Sequence, residues 1–320
     1  MSLHRLTQIV MGVPDVEQTA AYYAEFGLSP GTAAASAAGG QSPAGRVLST
    51  VDGGEQLRIV RSARRRLVEL GVGADHPDDL DRIAAALIGL GVEVERTPTT
   101  VSARDPGTEV MVRVELASRY EQRPAQQPCY NVPGVDARRQ ERAPGILREG
   151  PVRPRKLGHV VLGSTDHEAS QKFFQQGIGF KVSDWVKDQG AFMRCSSDHH
   201  NVLVQQAPVA FLHHTSWQVD DVDEIGRGAT AMLAADPDRH TWGLGRHYIG
   251  SNFFWYLKDP AGNFSEYYSD LDCIVDDALW KPGVFEGVQS LYAWGPPMPP
   301  SFLAPDDLGA LMTGAHSTGR

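Results

Sequence analysis

Cysteine is scarce in this chain. Cys129, Cys195 and Cys273 are its only three, widely spaced and without a CxxC pair. That excludes a disulfide framework or a thiolate zinc site and fits a reducing compartment. No apolar run reaches the roughly 18 residues that a membrane helix needs, and no signal-peptide pattern opens the sequence. A soluble cytoplasmic protein is therefore expected. Excess positive charge is lacking too. The formal net charge is −9, with acidic and basic residues interspersed, so neither nucleic acid nor an anionic membrane is an expected partner. What the chain does have is length: 320 residues suffice for two domains with sizeable cores.

Chemistry concentrates in residues 245–268. The aromatic run Asn252-Phe253-Phe254-Trp255-Tyr256-Leu257 is followed by a turn, Asp259-Pro260-Ala261-Gly262-Asn263, and then by Phe264-Ser265-Glu266-Tyr267-Tyr268. Two aromatic runs around a Pro/Gly/Asn cluster predict an antiparallel hairpin. A turn centred on Ala261 sets Tyr256 opposite Glu266, as cross-strand neighbours on one face. A buried carboxylate there needs a charge partner or a metal. A single Glu is more commonly an exposed residue at a strand end, so the rest of the chain has to decide.

The chain repeats itself. Leu6-Thr7-Gln8-Ile9-Val10-Met11-Gly12 lies over Leu157-Gly158-His159-Val160-Val161-Leu162-Gly163. Without a gap, Asp15 then falls under Asp166 and Tyr22-Tyr23 under Phe173-Phe174. Thr165 with Glu168 reads as a capping box, and Gly27 and Gly177 as helix stops. Asp78-Asp79 mirrors Asp220-Asp221 as helix N-caps, and Asp105-Pro106-Gly107 mirrors the turn at Asp259. This is a duplicated domain of the α+β class, each copy built from two strand–helix–strands units. Residues 118–155 read as a surface linker and 33–45 as a mobile small-residue loop. From Ile274 onward a Pro-rich extension packs on the second domain, with residues 313–320 expected to be disordered.

The copies differ where chemistry would lie. His159 replaces Gln8. The strand around His213-His214 corresponds to residues 66–72, which hold no histidine, and Glu266 corresponds to Met111 or Val112. One strand histidine alone is usually structural. Two histidines and a carboxylate on equivalent strands of one copy match a facial triad for Fe(II), or a zinc hydrolase site. His214 is favoured over His213 as the ligand. His200, His247 and Tyr256 are candidates to move protons or donate to a bound oxygen. His199 and His240, taken singly, read as surface loop residues.

The motifs Gly158-His159-Val160-Val161, Asp198-His199-His200, Leu212-His213-His214, Gly245-Arg246-His247, Phe254-Trp255-Tyr256 and Pro260-Ala261-Gly262 leading to Glu266 resemble the two-domain extradiol catechol dioxygenases of the vicinal oxygen chelate superfamily. The resemblance spans both domains and is strongest over 157–268. It implies two tandem domains of paired βαβββ modules: 1–120 without metal ligands, a linker at 121–154, a catalytic domain at 155–275 and an extension at 276–320. It implies His159, His214 and Glu266 as ligands of Fe(II), with Mn(II) as the alternative. His200 would be the acid/base residue. His247 and Tyr256 would contact the substrate oxygens, and Phe192 and His199 would lie against the substrate. Tyr248-Ile249-Gly250 departs from relatives that carry an acidic residue after the histidine. The implied reaction opens a catechol with dioxygen to a muconic semialdehyde-type product, in a homo-oligomer. The alternatives are a lyase, isomerase or transferase of the same superfamily, which uses its metal as a Lewis acid, and a non-catalytic binding protein of that fold.

Overall fold

The computed structural model describes residues 2–31 and 45–313. The loop expected at 33–45, apart from Gly45, and the tail expected at 313–320, apart from Thr313, which ends a helix, lie outside the described residues. The first half runs β1 (Leu3–Val13), α1 (Val16–Glu25), β2 (Ser29–Pro30), β3 (Gly45–Thr50) and β4 (Gly54–Arg61). It continues β5 (Arg66–Ala74), α2 (Pro77–Gly89), β6 (Val94–Thr97), β7 (Thr100–Arg104) and β8 (Met111–Leu116). A short α3 (Pro144–Leu147) interrupts the linker. The second half repeats the plan with β9 (Lys156–Ser164), α4 (His167–Lys172), β10 (Lys181–Val186), β11 (Gly190–Arg194) and β12 (Val202–Gln206). Then come β13 (Phe211–Gln218), α5 (Val222–Ala235), β14 (His240–Arg246), β15 (Phe253–Lys258) and β16 (Phe264–Ser269). The extension adds β17 (Val284–Phe285), α6 (Pro300–Leu303) and α7 (Leu308–Thr313). Among the described residues no helix is long and apolar enough to cross a membrane.

Each half is therefore two βαβββ modules sharing one sheet. The strand orders are β2-β3-β4-β1-β5-β8-β7-β6 and β14-β15-β16-β13-β9-β12-β11-β10-β17. At the centre of each sheet the two modules meet through an antiparallel pair, β1 with β5 and β9 with β13. The register repeats as well. Val10 pairs with Glu69 as Val161 pairs with His214, and Glu69 pairs with Met111 as His214 pairs with Phe264. Followed two residues along, this register makes Arg113, rather than Met111 or Val112, the counterpart of Glu266. The reason is local: the first turn holds one more residue than the second, absorbed at Glu109 with φ 61°.

Several local expectations shift. The cap of α4 is Asp166, whose side chain accepts from Ala169 N–H, while Thr165 bonds the carbonyl of Gly107. The helix does not stop at Gly177; it widens into a π turn, Phe173–Ile178, and ends at Gly179 with φ 96°. Asp221 caps α5 as expected. In the first half, however, His76 is the cap of α2, and Asp79 closes a capping box from within the first turn.

One buried apolar cluster runs through both halves. The first half backs the strands that carry the site. Tyr22 on α1 bonds Ser265 at 2.6 Å, Phe26 stacks on Tyr267 at 3.8 Å, and Tyr267 donates to the Phe26 carbonyl. Because side chains alternate along a strand, Ser265 and Tyr267 face that helix while Glu266 faces the opposite side.

A second tie is Arg65. It donates to the carbonyl of Leu212 and to Asn263, and forms a two-pronged ion pair with Asp307 beside α7. Removing the partner of a buried ion costs about 3–5 kcal/mol. Arg65 is 2% exposed but Asp307 36%, so Asp307→Asn is expected to cost about 3 kcal/mol, the low end of that range. The check is a lower urea midpoint at unchanged slope; an unchanged midpoint would show that the tie contributes nothing.

Candidate metal centre

Three adjacent strands build the site. His159 on β9, Ser216 on β13 and Glu266 on β16 stand in one row of the sheet, since Ser216 pairs with both of the others. The small serine leaves space for the two longer side chains to converge above it. His214, two residues back on β13, closes the triangle. A Cβ at Gly158 would lie 2.1 Å from the Tyr268 hydroxyl, so glycine is required there for Tyr268 to pack beside His159, at 5.5 Å between ring centroids.

The polar atoms converge. Glu266 Oε2 lies 3.1 Å from His159 Nε2 and 3.7 Å from His214 Nε2, and the two histidine nitrogens are 3.4 Å apart. All three side chains are buried. Asn252 donates to Glu266 Oε1, leaving Oε2 without a hydrogen-bond partner, as is His159 Nδ1. Burial alone would push Glu266 up. Its contacts with His159 and His247, and the nearby His214, instead hold it well below the usual carboxylate range.

The tautomer of His214 follows from its neighbours. His213 Nε2 lies 2.5 Å from the carbonyl oxygen of Phe302, which can only accept, so that nitrogen carries the proton. Burial pushes His213 down to about 4, so its ring is neutral at pH 7 and Nδ1 is an acceptor. That nitrogen takes a hydrogen from His214 Nδ1 at 2.7 Å, and the lone pair of His214 Nε2 faces Glu266. Burial likewise lowers His214 well below the ordinary histidine range. The carboxylate oxygen therefore meets the lone pair of His214 Nε2, with His159 Nε2 3.1 Å from the same oxygen. Ligands about 2.1 Å from a shared divalent cation sit about 3 Å apart when cis, so the spacing fits a metal. Among the described residues this is the one such group of three.

The first half fills the same positions differently. Gln8, Glu69 and Arg113 stand where His159, His214 and Glu266 stand, and Arg113 pairs with Glu69 at 2.7 Å. The guanidinium there answers the carboxylate with a fixed charge.

A cavity of ≈ 440 Å³ opens over the triad. His200 lines it, with its ring 4.2 Å from His159 and 4.9 Å from Phe192. Burial, then the neighbouring His159 and His199, drives His200 well below its ordinary range. His247 Nδ1 donates to the carbonyl of Leu291 at 2.5 Å, and its Nε2 lies 2.9 Å from the Tyr256 hydroxyl. Burial, then Glu266, raises Tyr256 well above the ordinary phenol value. His240 sits at the exposed start of β14, as expected.

His199 corrects the surface reading: it is 0% exposed. It stands behind His200 rather than on the cavity wall, bonded to Asp184 at 2.8 Å. The extension does more than pack on the second domain. Val288, Leu291, Phe302 and Leu303 line the cavity, and Phe302 touches Tyr256, Trp242 and His213 at centroid distances of 4.7–4.9 Å. Asn252, Asp184 and the carbonyls of Leu291 and Phe302 have no signature in the sequence. The only available signal was that Asn252 opens the aromatic hairpin.

Residues 156–267 match the profile described as Glyoxalase/Bleomycin resistance protein/Dioxygenase superfamily. Metapyrocatechase 2 of Cupriavidus necator is 38% identical over 174 residues, covering 52% of this chain and 54% of its own length. The chain thus spans about half the length of the curated relatives it matches. Among solved structures, an Mn(II)-bound glyoxalase from Novosphingobium aromaticivorans is similar at TM-score 0.70 and 25% identity, over 93% of this chain and 94% of its own. A variant of homoprotocatechuate 2,3-dioxygenase from B. fuscum shares the fold at TM-score 0.72 and 18% identity, over 94% and 81%.

Proposed function

We propose, starting from residues 156–267 as a domain of the Glyoxalase/Bleomycin resistance protein/Dioxygenase superfamily, that this chain is a metal-dependent extradiol dioxygenase cleaving a catechol with O2. The observation that carries the reading is the pairing of a three-residue metal-binding group with His200, His247 and Tyr256 in the lining of one cavity. A hydrolytic or Lewis-acid site needs the ligands but not that whole set. His159, His214 and Glu266 would hold Fe(II), or Mn(II) as in the glyoxalase structure. When bound, the metal would supply electron transfer between the ring and dioxygen and a template for both oxygens of the catechol.

The chain's own residues would do the rest. Phe192 would pack on the ring, and Tyr256 and His247 would share a proton beside the substrate oxygens. His200 would take and return a proton, a role suited to a neutral buried imidazole. Residues 1–120 would serve as a domain without metal ligands that backs the catalytic strands. The linker would be 121–154, the catalytic domain 155–275 and the extension 276–320, which would shape the pocket. Three free thiols support a cytoplasmic setting, and a homo-oligomer is proposed for the whole protein.

A second reading, a glyoxalase-like isomerase or lyase, is favoured by the similarity to the Mn(II)-bound glyoxalase. The test is to load the full chain anaerobically with Fe(II), or separately Mn(II), and present mono-, bi- and polycyclic catechols with and without oxygen. Oxygen-dependent appearance of a yellow ring-opened product is expected. Turnover of a thiol adduct or any other substrate without oxygen would favour the second reading.

A further inference from the structure

His200 is one end of a hydrogen-bonded chain that begins at a buried carboxylate. Asp184 on β10 is 5% exposed, and both of its oxygens accept. Oδ1 takes the backbone N–H of Gly283 at 2.7 Å, and Oδ2 lies 2.8 Å from His199 Nε2. His199 Nδ1 lies 3.1 Å from His200 Nδ1. A carboxylate can only accept, so His199 Nε2 carries the hydrogen. When that ring is neutral its other nitrogen, Nδ1, is an acceptor, to which His200 Nδ1 donates. That leaves His200 Nε2 with a lone pair on the side of the ring not taken by His199. The arrangement parallels the Phe302 carbonyl, His213 and His214 on the opposite wall, where two adjacent histidines are also linked through their Nδ1 atoms.

We infer that Asp184, acting through His199, is a positioning residue that sets the tautomer of His200, so that its cavity-facing nitrogen arrives unprotonated and ready to accept. The inference rests on the role proposed above for His200. The surroundings hold the chain in place. Trp280 lies 5.3 Å from the His199 ring and donates to the Ser183 carbonyl, and Gly283 belongs to the segment leading into β17. The extension thus fixes Asp184 from one side as its Phe302 fixes His213 from the other.

Asp184→Asn reverses the chain without changing its shape. Gly283 N–H still demands an acceptor, so the asparagine oxygen stays with Gly283 and its NH2 group faces His199. His199 Nε2 must then accept and its Nδ1 must carry the hydrogen. His200 Nδ1 becomes the acceptor, and its hydrogen moves to Nε2. Histidine 15N resonances of the full chain loaded with diamagnetic Zn(II), assigned with a His200→Gln variant, read this directly. The expected result is His200 protonated at Nδ1 in the wild type and at Nε2 in Asp184→Asn. In the Fe(II)-loaded chain kcat should fall about ten- to hundredfold, the usual cost of losing such an outer partner, with KM nearly unchanged.

If Asp184→Asn does not fold, His199→Phe gives the second reading. It keeps a ring but removes the acceptor, and His200 should become a mixture of tautomers. An unchanged His200 tautomer in either folded variant overturns the inference. Failure of the wild type to cleave any catechol, with the tautomer moving as expected, would sink the dioxygenase reading and leave the hydrogen-bond chain standing.

Discussion

Glu266→Gln should strip the protein of metal and of turnover together. Glutamine keeps an oxygen for Asn252 to donate to, so local packing survives, but the anionic oxygen between the two histidine nitrogens is gone. Because the proposed chemistry runs entirely through the metal, the loss of rate is expected to be on the order of 10⁶, the low end of enzymatic acceleration. Binding to the folded state alone stabilises it, by about 2.7 kcal/mol at a hundredfold excess over Kd. Fe(II) should therefore raise the melting temperature of the wild type and leave that of the variant unmoved. Metal analysis after desalting gives the same answer independently. A metal-dependent shift retained in Glu266→Gln would mean that the triad is not the site. Gln8→Ala is the control, expected to keep full metal content, because Gln8 lies in the half where Arg113 and Glu69 pair with each other.

His200→Asn should behave in the opposite way toward the metal and similarly toward the rate. The side chain packs against His159 without belonging to the triad. Metal content and the anaerobic catechol complex should therefore match the wild type. Loss of a positioned acid/base group costs about 10²–10⁴ in rate, and the deficit should appear only after oxygen is admitted. Stopped-flow mixing of the preformed catechol complex with oxygenated buffer separates the two stages. Equal rates in variant and wild type would move the proton role to His247, which already shares a hydrogen bond with Tyr256.

The ligands were legible because the chain carries its own control. A histidine on a strand says little, but His159 over Gln8, His214 over a histidine-free strand and Glu266 facing Tyr256 differ between copies that share one fold. Strand pairing in the hairpin was legible for a similar reason: a period of two and a turn of known length leave one register. The counterpart of Glu266 was not legible, because Asp105-Pro106-Gly107 set against Asp259-Pro260-Ala261-Gly262 implies a first turn of equal length or one residue shorter, whereas it is one residue longer, with a left-handed backbone at Glu109. Cap positions slipped by one or a few residues where two polar side chains, such as Thr165 and Asp166, could each reach the helix end. His199 was misjudged because its neighbours, Asp184 and Trp280, are distant in sequence and meet it only through the fold. The extension was opaque for a deeper reason. Leu291 and Phe302 act partly through backbone carbonyls, which every residue carries.

Oxygen stoichiometry is the most direct measurement of the central claim. The Fe(II)-loaded chain is placed in an oxygen electrode with a limiting amount of catechol while product absorbance is followed in the same cell. The expected result is one O2 consumed per ring opened, no hydrogen peroxide released and no product when oxygen is withheld. Product formation without oxygen, or oxygen consumed with stoichiometric peroxide and an intact ring, would contradict it.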